Sequence, residues 1–246
     1  MRSESAHTLP TIQITTYDII KEKGAPISLM SNTIQAVIWD LDGVIIDSAN
    51  EHRRAWERLA KEESVKLTDE DFWATFGKRN NDIFAILWGP LTPEQAQLLG
   101  NRKETYFRDL IRATAAPLPG SMELMRSLHE ASYPQALASS APIENIQLIS
   151  EVLGLARYLT ALVSGETVPH GKPAPDIFLK AAQELHIDPA HCLVIEDAVA
   201  GVEAAHAAGM RCISVAGNRD LPGLRKAELA VKTLLEVDLA RIQTLA

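Results

Sequence analysis

The residues best equipped for chemistry fall in four short clusters: Asp40-Leu41-Asp42-Gly43, Ser139-Ser140, Gly171-Lys172-Pro173 and Glu196-Asp197. Taken singly, each is weak. An aspartate pair two residues apart is usually a solvated turn, and a calcium loop built on Asp40, Asp42 and Glu51 fails because Ile45 stands where the loop requires glycine. Brought together, they make a site in which several carboxylates meet a lysine and a hydroxyl. Two unit charges about 4 Å apart repel by roughly 4 kcal/mol at an effective dielectric of about 20, so such a site would reject a phosphate unaided. A divalent cation that prefers oxygen removes the objection, and Mg2+ suits carboxylates at Asp40 and Asp197. Lys172 and the Ser139 hydroxyl then complete a phosphate clamp.

The surrounding pattern says what must hold these clusters. Residues 36–39 form an apolar run that ends at Asp40, and similar runs recur at 135–138, 161–163, 192–195 and 212–215. Each predicts a short strand buried on both faces of a parallel sheet. Helical stripes lie between them: Ile143, Ile146, Ile149 and Leu153 closed by Gly154; Ile177, Ala181 and Leu185; and Val199, Val202 and Ala205 closed by Gly209. The alternation predicts a Rossmann-like, doubly wound α/β fold, whose ligands sit outside the carboxyl ends of the strands. All four clusters then share one rim.

Residues 48–117 break the alternation and read as helices without a strand. Ser48 with Glu51 predicts a capping box, as does Thr92-Pro93-Glu94-Gln95. The organisation expected is a catalytic core at 34–48 and 117–246, an all-helical cap at 49–116 with Trp73, Phe76, Phe84 and Trp88 as its own core, and an N-terminal extension at 1–33. That extension lacks the apolar segment of a secretory signal. It reads as a flexible leader, or as a start assigned too early with Met30 as the true first residue.

Composition narrows the function. The 246 residues carry a net charge of −8, which disfavours a nucleic-acid partner. The charge is uneven: residues 1–33 and 49–116 are each neutral, 34–48 contribute −3 and 117–246 contribute −5. The excess acidity thus belongs to the segments that carry the carboxylate clusters. No stretch approaches the roughly 18 apolar residues of a membrane span. Cys192 and Cys212, each inside a strand-like run, read as packed thiols in a reducing compartment.

The ordered set Asp40-Leu41-Asp42-Gly43-Val44, Ser139, Lys172-Pro173-Ala174-Pro175-Asp176 and Glu196-Asp197 resembles the four motifs of the haloacid dehalogenase superfamily, over residues 34 to about 225. Asp42 and the acidic pair resemble its Mg2+-dependent phosphotransferases. The helical insertion after the first motif, with His52 and Trp56 in its opening helix, is similar to the group of β-phosphoglucomutase and many small-metabolite phosphatases. The resemblance implies that Asp40 attacks phosphorus and forms an aspartyl-phosphate, while Asp42 protonates the leaving alcohol and then takes a proton from water. Asp42 must start neutral, so its acidic neighbours are expected to raise its pKa. It further implies Mg2+ held by Asp40, the Asp42 main-chain carbonyl and Asp197, with Glu196 acting through water. Lys172 would bridge phosphate and Asp40, and Ser139 would donate to a phosphate oxygen.

Gly43, His52, Arg79, Lys103 and Ser140 are the expected substrate contacts. Arg79 reads equally as part of a solvated loop, and Lys103, beside Arg102 and Glu104, as one half of a surface charge pair. A phosphatase for a small phosphorylated metabolite, such as a sugar phosphate, is favoured over a sugar-phosphate mutase. In β-phosphoglucomutase a cap arginine follows Val-Ser and a lysine follows the serine motif, whereas this chain has Gly77-Lys78-Arg79 and Ser139-Ser140-Ala141-Pro142. A non-catalytic binding protein would be expected to have lost Asp40, Asp42 or Lys172. The expected setting is a cytoplasmic monomer that binds neither nucleic acid nor membrane.

Overall fold

The structure, a computed structural model, describes residues 33–217, 219 and 221–245. The expectation for the N-terminal extension, Thr33 apart, therefore lies outside the described residues. The chain opens with β1 (Ala36–Trp39), then passes through α1 (Ala49–Glu62), α2 (Asp69–Thr75), α3 (Asn80–Leu87) and α4 (Pro93–Thr114). It continues as α5 (Ser121–Glu130), β2 (Gln135–Ser139), α6 (Ile143–Leu153), β3 (Ala161–Ser164), α7 (Asp176–Leu185), β4 (Cys192–Glu196), α8 (Val199–Ala207), β5 (Arg211–Val215), β6 (Leu229–Val231) and α9 (Leu239–Gln243). The six strands pair in parallel in the order β3-β2-β1-β4-β5-β6. With helices on both faces this is the doubly wound α/β architecture expected.

Strand alternation explains the two layers. In β1, Val37 and Trp39 face one side and join Leu124, Met125 and Ile146 of α5 and α6. Ala36 and Ile38 face the other and join Ile177, Phe178 and Val202 of α7 and α8. Burying the indole of Trp39 is compatible with its N–H because Gln135 accepts from it at 2.9 Å, and Gln135 in turn donates to the Met125 carbonyl at 3.0 Å. Cys192 and Cys212 are free and buried, as packed thiols should be. No helix of the described residues is long and apolar enough to cross a membrane.

The four helices α1 to α4 carry a core of their own, built on Trp56, Leu59, Phe72, Ile83, Phe84 and Leu99, with Phe76 and Trp88 packed against it. Trp73 only borders this core, through edge contacts with Phe72 and Phe76, and is 52% exposed. Phe72 of α2 and Phe76, which caps the end of that helix, turn inward, whereas Trp73, one position past Phe72, turns outward. The Thr92–Gln95 capping box forms, with Thr92 N–H donating to Gln95 at 2.9 Å and Gln95 N–H to Thr92 at 3.3 Å. The one predicted at Ser48 does not, since Ser48 turns its hydroxyl to Asp42 and Glu51 accepts from Thr114 at 2.9 Å. Strand β6 and the capping box between Thr68 and Asp71 were not expected from the pattern.

Candidate active site

Where β1 ends, Asp40 N–H donates to the Ile195 carbonyl at 2.9 Å, which sets the first cluster directly beside the end of β4. The chain then turns sharply, with Ile45 and Ile46 N–H both donating to the Leu41 carbonyl. Gly43 makes that turn at φ +83°, and a Cβ there would lie 2.0 Å from Asp197 Oδ2. Only glycine lets the Asp197 carboxylate approach this closely.

Asp40, Glu196 and Asp197 are all buried. Lys172 donates to Asp40 Oδ1 at 2.6 Å and also to Glu196 Oε1, while Glu196 Oε2 accepts from the Asp197 and Ala198 N–H groups at 2.6 Å each. Burial pushes the Asp40 carboxyl well above the usual range; Lys172 opposes this, and Glu196, Asp197 and Asp42 reinforce it. Burial and Glu196 push Asp197 up to about 7, against the opposing pull of Arg219 and Lys172. Burial would lower the Lys172 ammonium, but Asp40 and Glu196 hold it above its ordinary value. Arg219, which no motif pointed to, donates to Asp197 Oδ2 at 2.6 Å and to the Asp197 carbonyl at 3.1 Å.

Asp42 differs from expectation. Burial favours its neutral form, but hydrogen bonds from His52 and Ser48 and the charge of Lys103 bring its pKa below the ordinary value. Its hydrogen-bond donors and the Lys103 ammonium outweigh burial. His52 Nε2 lies 3.4 Å from Asp42 Oδ1, and its ring is stacked on Phe107 at 3.8 Å between centroids.

Lys103 is not on the surface. At 2% exposure it lies between His52 Nδ1 and Glu104 Oε1, at 2.8 Å from each. Asp42, His52, Lys103 and Ser140 line one cleft together with Lys78 and Asn80. Ser139 is buried, its hydroxyl accepting from Ala141 N–H at 3.1 Å. Arg79 turns away from the cleft: it pairs with Asp82 at 3.0 Å, reaches the Val168 and Pro169 carbonyls at 3.4 and 3.3 Å, and lies against Gly171. Its neighbour Lys78 lines both the cleft at Asp42 and a second crevice beside Lys172, Trp73 and Arg219.

A sequence model of haloacid dehalogenase-like hydrolases matches residues 34–209. The chain belongs to this family. Among relatives of this hydrolase, a β-phosphoglucomutase of Bacillus subtilis is 33% identical over 84% of the chain and 92% of its own length. A fructose-1-phosphate phosphatase of Escherichia coli is 31% identical over 73% of the chain and 95% of its own. The solved β-phosphoglucomutase of Clostridium difficile superposes with a TM-score of 0.78 at 27% identity, covering 86% of this chain and 96% of that one.

Hydrolases of this family generally use Mg2+, and the donors here suit it. They are all oxygen, and the buried acids Asp40, Glu196 and Asp197 face two cations, Lys172 and Arg219. That charge deficit, visible in the raised Asp40 and Asp197, is what a divalent cation would relieve. Among the described residues, no three His, Cys, Asp or Glu side chains form a ready-made cluster. Lys172 bridges Asp40 and Glu196, and Arg219 engages Asp197.

Proposed function

We propose that this hydrolase is a Mg2+-dependent phosphatase of a small phosphorylated metabolite, a sugar monophosphate, acting through an aspartyl-phosphate on Asp40. The helices at 49–116 serve as the cap that closes on the substrate and excludes water. Asp40 supplies the attacking oxygen, and Lys172 holds that carboxylate while its ammonium offers positive charge to the incoming phosphate. A bound Mg2+ would be held by Asp40, the Asp42 carbonyl and Asp197, with Glu196 behind them, and would neutralise charge on the transferring phosphoryl group. Ser139 donates to a phosphate oxygen.

Asp42 starts ionised, as its lowered pKa requires. That is the state needed in the second half-reaction, where it accepts a proton from the water that attacks the aspartyl-phosphate. In the first half, the approaching phosphate raises the Asp42 pKa by like charge, so Asp42 takes up a proton from solvent before the site closes, gives it to the leaving oxygen, and returns the proton later gained from water to solvent when product leaves. His52 and Lys103 keep its carboxylate aimed at the cleft.

The observation that carries phosphatase over mutase is the position of Arg79. A mutase must grip a second phosphate while the sugar turns over, and this guanidinium is committed to Asp82 and to carbonyls outside the cleft. The Lys103 charge is likewise balanced by Glu104. The test is release of inorganic phosphate from a panel of sugar monophosphates with and without Mg2+, run beside conversion of β-glucose 1-phosphate to glucose 6-phosphate. Mg2+-dependent phosphate release is expected. Isomer interconversion with little release would favour the mutase, and neither would leave a binding protein.

A further inference from the structure

The Glu104 carboxylate is buried and fully engaged. Its Oε1 accepts from Lys103 Nζ and from Asn80 Nδ2, each at 2.8 Å, and its Oε2 accepts from Asn145 Nδ2 at 2.6 Å. Asn145, itself wholly buried, accepts from Arg108 at 3.0 Å through its other amide atom. These residues belong to different parts of the fold. Glu104, Lys103 and Arg108 ride on α4 and Asn80 starts α3, whereas Asn145 lies in the first turn of α6, just beyond Ser139 and Ser140. Burial raises the Glu104 carboxyl, but Lys103, His52 and Asn145 bring it below the ordinary value, so the group is a carboxylate that needs all of its donors.

An unbroken line of polar contacts therefore runs from α6 to the first cluster: Asn145 to Glu104, Glu104 to Lys103, Lys103 to His52, and His52 to Asp42. Lys103 has two partners on this line, and with Glu104 displaced its ammonium would be buried with only the His52 ring to receive it. We propose that Glu104 and Asn145 form a latch between the cap and the core, a pair of positioning residues that fixes Lys103 against His52 so that the His52–Asp42 contact is complete only when α4 is docked on α6. The inference rests on the phosphatase reading above.

Two properties make the latch testable apart from folding. First, the donor and the acceptor can be exchanged. Asn145→Asp sets two carboxylates against each other, whereas Asn145→Asp combined with Glu104→Gln restores an amide-to-carboxylate hydrogen bond in the opposite sense. Second, esters differ in their need for Asp42 as an acid in the first half-reaction, which kcat/KM reports: a sugar alkoxide must be protonated as it leaves, but p-nitrophenolate departs without a proton.

The experiment measures kcat and KM for the unaltered protein, both single variants and the exchanged pair, on the sugar monophosphate of the panel that is hydrolysed fastest and on p-nitrophenyl phosphate with Mg2+. Circular dichroism and Tm are recorded for each. Asn145→Asp is expected to lower kcat/KM on the sugar ester by about tenfold or more, since each 1.4 kcal/mol is a factor of ten and a hydrogen bond to a charged group is lost. The loss on the nitrophenyl ester is expected to be at least about fivefold smaller, and the exchanged pair should recover most of the activity. Equal losses on the two esters, an exchanged pair no better than the single variant, or singles within about twofold of the unaltered protein would overturn the latch while leaving the phosphatase reading standing. Should the single variant fail to fold, the exchanged pair and Glu104→Gln alone decide by the same ratio of losses. An unaltered protein inactive on every sugar monophosphate of the panel removes the phosphatase reading, and the latch with it.

Discussion

Lys172 and Asp40 stand 132 residues apart in the chain, yet the ammonium of one lies 2.6 Å from the carboxylate of the other and reaches Glu196 as well. Each partner is buried, so none can lean on water for its charge. Removing the lysine strands two carboxylates in the interior. Lys172→Met should therefore destabilise the fold by about 3–5 kcal/mol in metal-free buffer, read by urea denaturation. Added Mg2+ should restore part of that loss, because it replaces the missing positive charge. A variant as stable as the parent without metal would show that the bridge contributes nothing.

Asp40→Asn should behave in the opposite way. The amide keeps the shape but cannot serve as the attacking oxygen, so turnover should fall by at least about a thousandfold while the circular dichroism spectrum is unchanged. Because burial already disfavours the charged form of Asp40, the neutral amide is not expected to lower Tm. Appreciable phosphate release by this variant would remove Asp40 as nucleophile.

The raised Asp197 makes a prediction about pH with a definite sign. In the folded protein its carboxyl is pushed up to about 7, well above the ordinary carboxylate range of an unfolded chain. Between those values the folded protein holds a proton that the unfolded chain has lost, so this group's contribution to stability is present at low pH and falls as pH rises toward 7. In buffer containing EDTA, Tm of the unaltered protein should drop relative to that of Asp197→Asn as pH goes from about 4 to about 7. Saturating Mg2+ should reverse the gap by favouring the carboxylate. A difference in Tm that stays flat across the range would contradict the assignment.

What could be read in the sequence follows from how local each signal is. The strands that carry the clusters are continuous apolar runs ending in polar residues, and Trp39 followed by Asp40 states both the strand and its functional end. Strand β6 has three residues, one of them exposed, and no such run. The misreadings concern groups whose role depends on distant partners. Lys103 beside Glu104 reads as a surface pair until Asn80 and Asn145, from elsewhere in the chain, are seen completing its environment. Ser48 is a good helix cap by type, but the Asp42 carboxylate claims its hydroxyl. Arg219 lies past the last motif with nothing in its neighbourhood to single it out.

Lys78 and Arg79 show the same limit between adjacent residues. Arg79 precedes α3 with extended backbone and points its guanidinium back to Asp82 and the 168–169 carbonyls, whereas Lys78 lines the cleft at Asp42 and the crevice beside Lys172. If the cap's contribution to substrate binding comes from Lys78, then Lys78→Ala should raise KM for a sugar monophosphate by about tenfold with kcat little changed, the loss of one charged hydrogen bond. Arg79→Ala should leave KM within about threefold and lower Tm by a few degrees, consistent with about 1 kcal/mol from a half-exposed pair and two carbonyl contacts. The reverse pattern, with KM rising for Arg79→Ala alone, would put the arginine in the cleft during turnover and reopen the mutase reading, because a mobile cap arginine is what a second phosphate would need.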